Sequence, residues 1–341
     1  MDNLPIQHYF TMTSWFTFFI FLKLTEFIPS DWLKEVDDDV RIDYLSIPGT
    51  HDTMTFGDFA PWVETQGRTL VTQLDRGIRF IDIRLRCEHN KLQCYHGSAY
   101  LDRDFSYVLS KVGSFLHNHP SEFVIMSVKP EGGSSKKCTY GFALLVSKYI
   151  NEYTKLQFFT ENRIPLVKEV RGKVVLFSRF AGSDGIKSSG WPHNGRRIIK
   201  GYRFDLYVQD KYKVWATIES IKHKAGLVKD YMLKSIWMSD KQMADENTDG
   251  VHRLQKPKLY VNFLSGGTNA YPVNVAYGWC PFVCWGVNEL LAEDICSALK
   301  MCKEKNLLKP RCSMGILVFD FPFSDGESRA GFKCLIQSNF V

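Results

Sequence analysis

No two of the nine cysteines form a C-x-x-C pair, and no Cys/His spacing resembles a zinc site. A metal-built fold is therefore excluded. No apolar run approaches the roughly 20 residues that cross a bilayer. The strongest, Trp15 to Leu22, has no positive segment before it and no clear small-residue cleavage site after it. Residues 1–29 read as an N-terminal extension: an atypical signal, an interfacial segment, or a helix docked on the main fold. Blocks of like charge are missing too. A net charge of +6 is scattered along the chain, with a pI near 8.7. This speaks against nucleic acid and permits attraction to an anionic membrane surface. There is no internal repeat, low-complexity tract or linker, so residues 30–341 read as a single domain.

What is present suits an ordinary folded core: 45% of the 341 residues are hydrophobic and 14% aromatic. Ser30 to Val36 reads as a helical turn capped by Ser30 or Asp31. Strands are expected at 41–47 (stopped by Pro48-Gly49), 80–85, 92–95, 123–128, 173–177, 205–208, 259–264 and 315–321. Helices are expected at 69–77, from Phe105 to before Pro120, at 140–153, along Ile218, Ile221, Ala225, Val228 and Met232, and at 287–303. Loops are expected at 131–137, 181–197 and 239–256. Strands alternating with helices give the rhythm of a parallel β/α barrel, so the fold class is α/β, a single distorted TIM-type barrel. Among the cysteines, Cys87 and Cys94 flank an expected hairpin and are candidates to pair, and Cys280 and Cys284 could staple a loop. Bridging would mean a secreted or peripheral membrane protein; buried thiols would mean the cytoplasm.

The polar residues gather where such a barrel keeps its chemistry. His51 and Asp52 follow the first strand, Asp82 and Arg84 lie in the second, and His96 follows the third. Lys129, Arg179, Asp210 with Tyr212, and Asp320 stand at the ends of later strands. All fall on the C-terminal rim, the active-site face of these barrels. Two histidines and an arginine can work on a phosphodiester without a metal: one imidazole takes a proton, the other gives one, and the guanidinium holds the phosphate. Singly, each has a blander reading. A lone histidine is commonly a core residue, and Asp82 with Arg84 could be a structural ion pair. Lys129, Arg179, Asp210 and Tyr212 could be solvated, and Asp325 competes with Asp320. His117, His119, His193, His223 and His252 read as surface or structural.

Several motifs occur together and in order: Ile-Pro-Gly-Thr-His-Asp-Thr-Met-Thr at 47–55, Gly-Ile-Arg-Phe-Ile-Asp-Ile-Arg at 77–84, Tyr-His-Gly at 95–97, His-Pro-Ser-Glu at 119–122 leading into Met-Ser-Val-Lys at 126–129, and Val-Gln-Asp-Lys-Tyr at 208–212. Over about Trp32 to Asp320 the chain resembles the phosphatidylinositol-specific phospholipase C family, in its compact bacterial-type X-domain form. The resemblance implies that His51 is the general base on the inositol 2-hydroxyl and that Asp320 orients it. It implies that His96, with Asp52 beside it, is the general acid toward diacylglycerol, and that Arg84 clamps the phosphate with Asp82 as its support. Lys129, Arg179 and Asp210 would grip the inositol hydroxyls and Tyr212 would stack on the ring. Arg84 stands where calcium-dependent relatives place an acidic ligand and the metal, so no metal and no cofactor are expected. The implied partner is phosphatidylinositol in a membrane surface, met by a monomer. Trp62 and the loop residues Trp279, Phe282 and Trp285 are candidate membrane contacts. Arg196 and Arg197 could add cations for a phosphorylated ring. Rival readings are a lipid-binding pseudoenzyme, a pure interaction protein, or a phosphodiesterase acting on another glycerophosphodiester or on a glycosylphosphatidylinositol anchor.

Overall fold

A computed structural model describes residues 30–132, 138–182, 184–248, 256–279, 285–304, 312–323 and 327–341. Within it the chain runs β1 (Ile47–Thr50), α1 (Leu70–Asp75), β2 (Phe80–Glu88), β3 (Lys91–His96), β4 (Ala99–Asp104), α2 (Phe105–Asn118), β5 (Val124–Pro130), α3 (Phe142–Glu152), β6 (Gln157–Phe159), α4 (Val167–Val170) and β7 (Lys173–Ser178). It continues through β8 (Ile186–Lys187), β9 (Gly195–Lys200), β10 (Asp205–Asp210), α5 (Ile218–Thr248), β11 (Lys258–Phe263), α6 (Pro272–Tyr277), α7 (Val287–Glu304), β12 (Ile316–Phe319) and α8 (Glu327–Gln337).

The apolar runs become strands covered on both faces, as parallel sheets require. Residues 124–128 of β5 and all four of β12 are buried. The sheet runs β6-β7-β5-β2-β1-β12-β11-β10-β9. Every neighbouring pair from β6 to β10 is parallel, and only β9 turns back antiparallel against β10. This is the expected distorted β/α barrel. Among the described residues no pairing joins β9 to β6 or β8, so the curl is open at that seam. Alternate residues of β12 feed two cores. Ile316 and Val318 join the cluster around β2, β5 and α2, while Leu317 and Phe319 pack with Val228 and Met232 of α5 and Leu291 of α7.

Several expectations need correction. The first strand is Ile47–Thr50 and contains the Pro48-Gly49 read as its stop. Pro48 brings no N–H to the strand, while its carbonyl accepts from Arg79 N (2.9 Å). Gly49 is required because a Cβ would lie 2.9 Å from Phe80 Cβ. Residues 42–44 form a 3-10 turn instead. The helical turn at Trp32–Glu35 is present, but Asp31 makes no side-chain capping bond. β3 is an antiparallel return from β2, and its place among the parallel strands is taken by the short β6. The 181–197 stretch holds β8 and the start of β9, and the backbone of α5 stays helical to Thr248. The 133–137 part of the expected Gly/Ser loop lies outside the described residues.

Cys87 and Cys94 do not pair. The β2–β3 register sets Cys94 opposite Leu85 and Cys87 opposite Leu92, a diagonal too long for a disulfide. Cys87 instead bridges to Cys138, and Cys296–Cys334 and Cys302–Cys312 close two more loops. Cys94 is a buried free thiol. Cys280 and Cys284 lie outside the described residues.

Candidate active site

The site begins where β1 stops. Thr50 and Thr53 hydroxyls meet at 2.9 Å, and Asp52 takes a left-handed φ of 41°, which turns the chain inward. Thr53 N donates to the Asp82 carbonyl (3.1 Å) and Asp82 N to the Thr53 hydroxyl (2.8 Å), so this turn is stitched to β2. Gln66 Nε2 (2.8 Å) and the Thr65 hydroxyl (3.0 Å) donate to the His51 carbonyl.

The His51 ring is held at both nitrogens. Nδ1 lies 2.8 Å from Asp320 Oδ1, and Nε2 lies 2.6 Å from Arg84 Nη2. A guanidinium only donates. The proton of neutral His51 is therefore on Nδ1, pointing at Asp320, and Nε2 presents a lone pair. Burial, and next the Arg84 charge, hold the His51 pKa well below its ordinary value. Burial and Asp52 push the Asp320 carboxyl upward. The donor pattern requires only that Asp320 Oδ1 accept from Nδ1–H, which either form of the carboxyl can do.

Arg84 is the hub. Its Nε donates to Asp82 Oδ2 (3.1 Å), and Nη1 sits 2.8 Å from Asp52 Oδ2. That second contact is off the hydrogen-bonding line, so the buried Asp52 Oδ2 has charge beside it but no donor. Burial would lower the Arg84 pKa; Asp52 and then Asp82 more than reverse this. Asp82 is fully buried and also accepts from the Ser127 hydroxyl (3.1 Å) and Arg179 Nη1 (3.2 Å). Burial alone would raise its pKa, but Arg84 and Arg179 hold it well down. Leaving such a buried charge unpaired costs about 3–5 kcal/mol, so these three groups stand together.

β3 carries His96 back to the same place. Its Nδ1 donates to the Val63 carbonyl (2.9 Å), and its Nε2 faces Asp52 Oδ2 at 3.5 Å. His51 Nε2 is 3.5 Å from that same oxygen. The two imidazoles thus flank one carboxylate and one guanidinium, close enough for a single phosphate to touch both. Such a set can take a proton on one side of a bound group and give one on the other.

Around this lies a cavity of about 610 Å³. His51, Arg84, His96, Lys129, Arg179, Asp210, Tyr212 and Asp320 all line it, with Asp52 and Asp82 buried behind. Lys129 is the cross-strand neighbour of Arg84 and is tied to Glu131 (2.8 Å). Arg179 lies over the Trp191 ring at 3.9 Å, and the Trp191 indole N–H donates to Asp210 (2.8 Å). Trp62 stands at the mouth, 65% exposed. Trp279 and Trp285 are exposed but do not line the cavity. Phe282 and Asp325 lie outside the described residues.

Other expectations fall differently. Arg196 and Arg197 do not line the cavity; Arg196 pairs with Asp230 at 3.3 Å. His193, read as structural, is on the wall with its ring 3.1 Å from the Tyr212 hydroxyl. Glu131 and Trp191 were missed. Glu131 could have been seen as an acid two residues past Lys129; Trp191 sits in an irregular stretch with no pattern to mark it. Among the described residues no group of three or more His, Cys, Asp or Glu is arranged to hold a metal ion, and no helix is long and apolar enough to cross a membrane.

A family model for the phosphatidylinositol-specific phospholipase C X domain matches residues 45–180. The 1-phosphatidylinositol phosphodiesterase of Staphylococcus aureus strain Newman is 29% identical over 272 residues, 75% of this chain and 81% of the relative. A mutant of the phosphatidylinositol-specific phospholipase C of S. aureus superposes with a TM-score of 0.69 at 26% identity, over 91% of this chain and 96% of its own. Another structure of that enzyme, concerned with modulation of its membrane binding, gives a TM-score of 0.68 at 25% identity over 91% and 97%.

Proposed function

We propose that this chain belongs to the phosphatidylinositol-specific phospholipase C X-domain family, whose model matches residues 45–180, and that it cleaves phosphatidylinositol at a membrane surface to diacylglycerol and inositol 1,2-cyclic phosphate. The inositol 2-hydroxyl takes the place of Arg84 Nη2 on the His51 Nε2 lone pair and gives up its proton there. Its oxygen bonds to phosphorus, the bond from phosphorus to the diacylglycerol oxygen breaks, and His96 supplies the proton that oxygen needs. Asp320 accepts from Nδ1–H throughout and stabilises the imidazolium as it forms. Arg84, released from His51, turns its fork to the non-bridging phosphate oxygens. Asp82 keeps that fork aimed, and the open oxygen of Asp52, 3.5 Å away, steadies the His96 ring before its Nε2 proton passes to the leaving oxygen. Lys129, Arg179, Asp210 and Tyr212, with Glu131 and Trp191, form the wall for the inositol ring.

The observation that carries this reading is the fixed His51 tautomer: a lone pair facing the cavity, backed by a carboxylate, beside a guanidinium. Arg84 supplies the positive charge that a metal would otherwise bring, so no metal is invoked. Residues 30–341 are read as one catalytic unit working as a monomer. The three disulfides among the described residues favour an oxidising compartment over the cytosol, and exposed Trp62 favours peripheral contact with lipid.

The test is product analysis on phosphatidylinositol vesicles in excess EDTA, for the wild type and for His96→Ala. Cyclic phosphate and diacylglycerol should come from the wild type and not from the variant. Activity that appears only when calcium is restored would overturn the role given to Arg84.

A further inference from the structure

We propose that Lys224 is a positioning residue that holds the inositol-facing wall of the cavity in place from behind. The inference rests on the ring-binding role given to Asp210 and Tyr212. Lys224 sits in the apolar stripe of α5, between Ile221 and Val228, and is completely buried. A buried ammonium is costly, and a methionine or leucine would pack there without that cost. Its polar contacts explain why a lysine is useful.

The Lys224 ammonium donates to the Lys211 carbonyl (2.7 Å) and to Gln209 Oε1 (3.2 Å). Lys211 N donates to the same Gln209 oxygen at 2.8 Å. Gln209 Nε2 donates to Asn262 Oδ1 and to the Phe263 carbonyl, each at 2.8 Å. Asn262 Nδ2 then donates to the Val228 carbonyl (2.9 Å), one helical turn beyond Lys224. The chain of bonds closes on α5 and ties it to β10 and β11. Both residues that flank Asp210 are gripped by it. Tyr212 follows directly, its carbonyl accepting from Gly267 N (2.9 Å) on the opposite lip.

The charged groups that act on this ammonium are Asp210, Asp320 and Lys211, and among the described residues none is recorded as a salt-bridge partner of it. Burial pulls its pKa down to about 7. The charged, strongly donating form prevails on the acid side and is lost as pH rises through about 7. The wall should therefore be firmest on the acid side.

The experiment compares wild type, Lys224→Met and Lys224→Gln by amide hydrogen exchange and by kinetics on a short-chain, monomeric phosphatidylinositol. Exchange at Lys211 and Gly267 should quicken at least tenfold in both variants, with the β1 and β2 amides unchanged. KM should rise about tenfold while kcat changes less than threefold, and the rise of the wild-type KM between pH 6 and 8 should be absent from the variants. Unchanged exchange at Lys211 and Gly267 would overturn the proposal whatever the enzyme does. So would failure of both variants to fold, since Lys224 would then serve stability alone. Quickened exchange in the variants, beside a wild type that cleaves no phosphatidylinositol, would leave the anchor standing and remove the proposed reaction instead.

Discussion

The floor of the cavity and its rim are built in different ways. On the floor, His51 and Asp320 come just past the ends of β1 and β12, Asp82 and Arg84 lie within the adjacent β2, and each of these side chains meets a fixed partner within about 3 Å. At the rim, Trp62 stands on a loop with 65% of its surface exposed. Lys129 and Tyr212 lie between, each held by a single polar neighbour. The floor can place a proton and a charge to within a fraction of an ångström, as the proposed chemistry needs. A rim that meets lipid, as proposed, would gain nothing from such accuracy, and Trp62 stands exposed. Accuracy is concentrated on the strands, and access is left to the loops.

Asp320→Asn should break the floor most severely. The amide would donate to His51 Nδ1 and force the ring proton onto Nε2, against the Arg84 donor. We expect kcat to fall by about 10⁴-fold, as for the aspartate of a serine triad, with the fold retained by circular dichroism. A loss under tenfold would mean that the tautomer is not held by Asp320. A smaller but still large effect is expected of Arg84→Met, about 10²–10³-fold in kcat, together with a shift in pH dependence. The neutral His51 is the active form, so kcat/KM should fall as pH drops through its pKa. Burial and Arg84 hold that pKa below the ordinary 6.5. The acid limb of the wild type should therefore lie below pH 6.5 and move upward in the variant; limbs that coincide would detach Arg84 from His51. The rim should respond least. Removing roughly 60 Å² of lipid-buried surface with Trp62→Ala is worth about 1.5 kcal/mol. That is about a tenfold weaker attachment to phosphatidylinositol vesicles, with turnover of a monomeric substrate unchanged. An equal loss on both substrates would move Trp62 from the rim to the floor.

The same division decides what the sequence discloses. His51, Asp52, Asp82 and Arg84 lie in two short pieces at the ends of apolar strands, so their type and place could be read together. Asp320 was assigned through resemblance, because a lone aspartate after an apolar run has no local mark. His96 was rightly placed, although its strand runs antiparallel and belongs to a hairpin. The wall was harder. β8 and β9 lie partly in a Gly/Ser/Arg-rich stretch without alternation, and Trp191 sits between them. The Cys87–Cys138 bridge spans 51 residues and depends on a cross-strand register that no spacing reveals. Lys224 was hidden in an apolar stripe, where the eye for periodicity passes over the one residue that departs from it.

Gly49 sets a tolerance for the whole assembly. It is the residue in β1 whose missing side chain lets the strand lie against Phe80, two positions before the proposed base and four before the turn that is stitched to Asp82. Any larger residue would wedge β1 away from β2, and His51 and Arg84 travel on those two strands. The atoms in the way include the Phe80 Cβ and the Phe80 carbonyl oxygen, at 2.9 and 3.0 Å. The oxygen belongs to any residue at position 80, so no exchange there makes room, and the spacing of the two strands rests on glycine at position 49 alone.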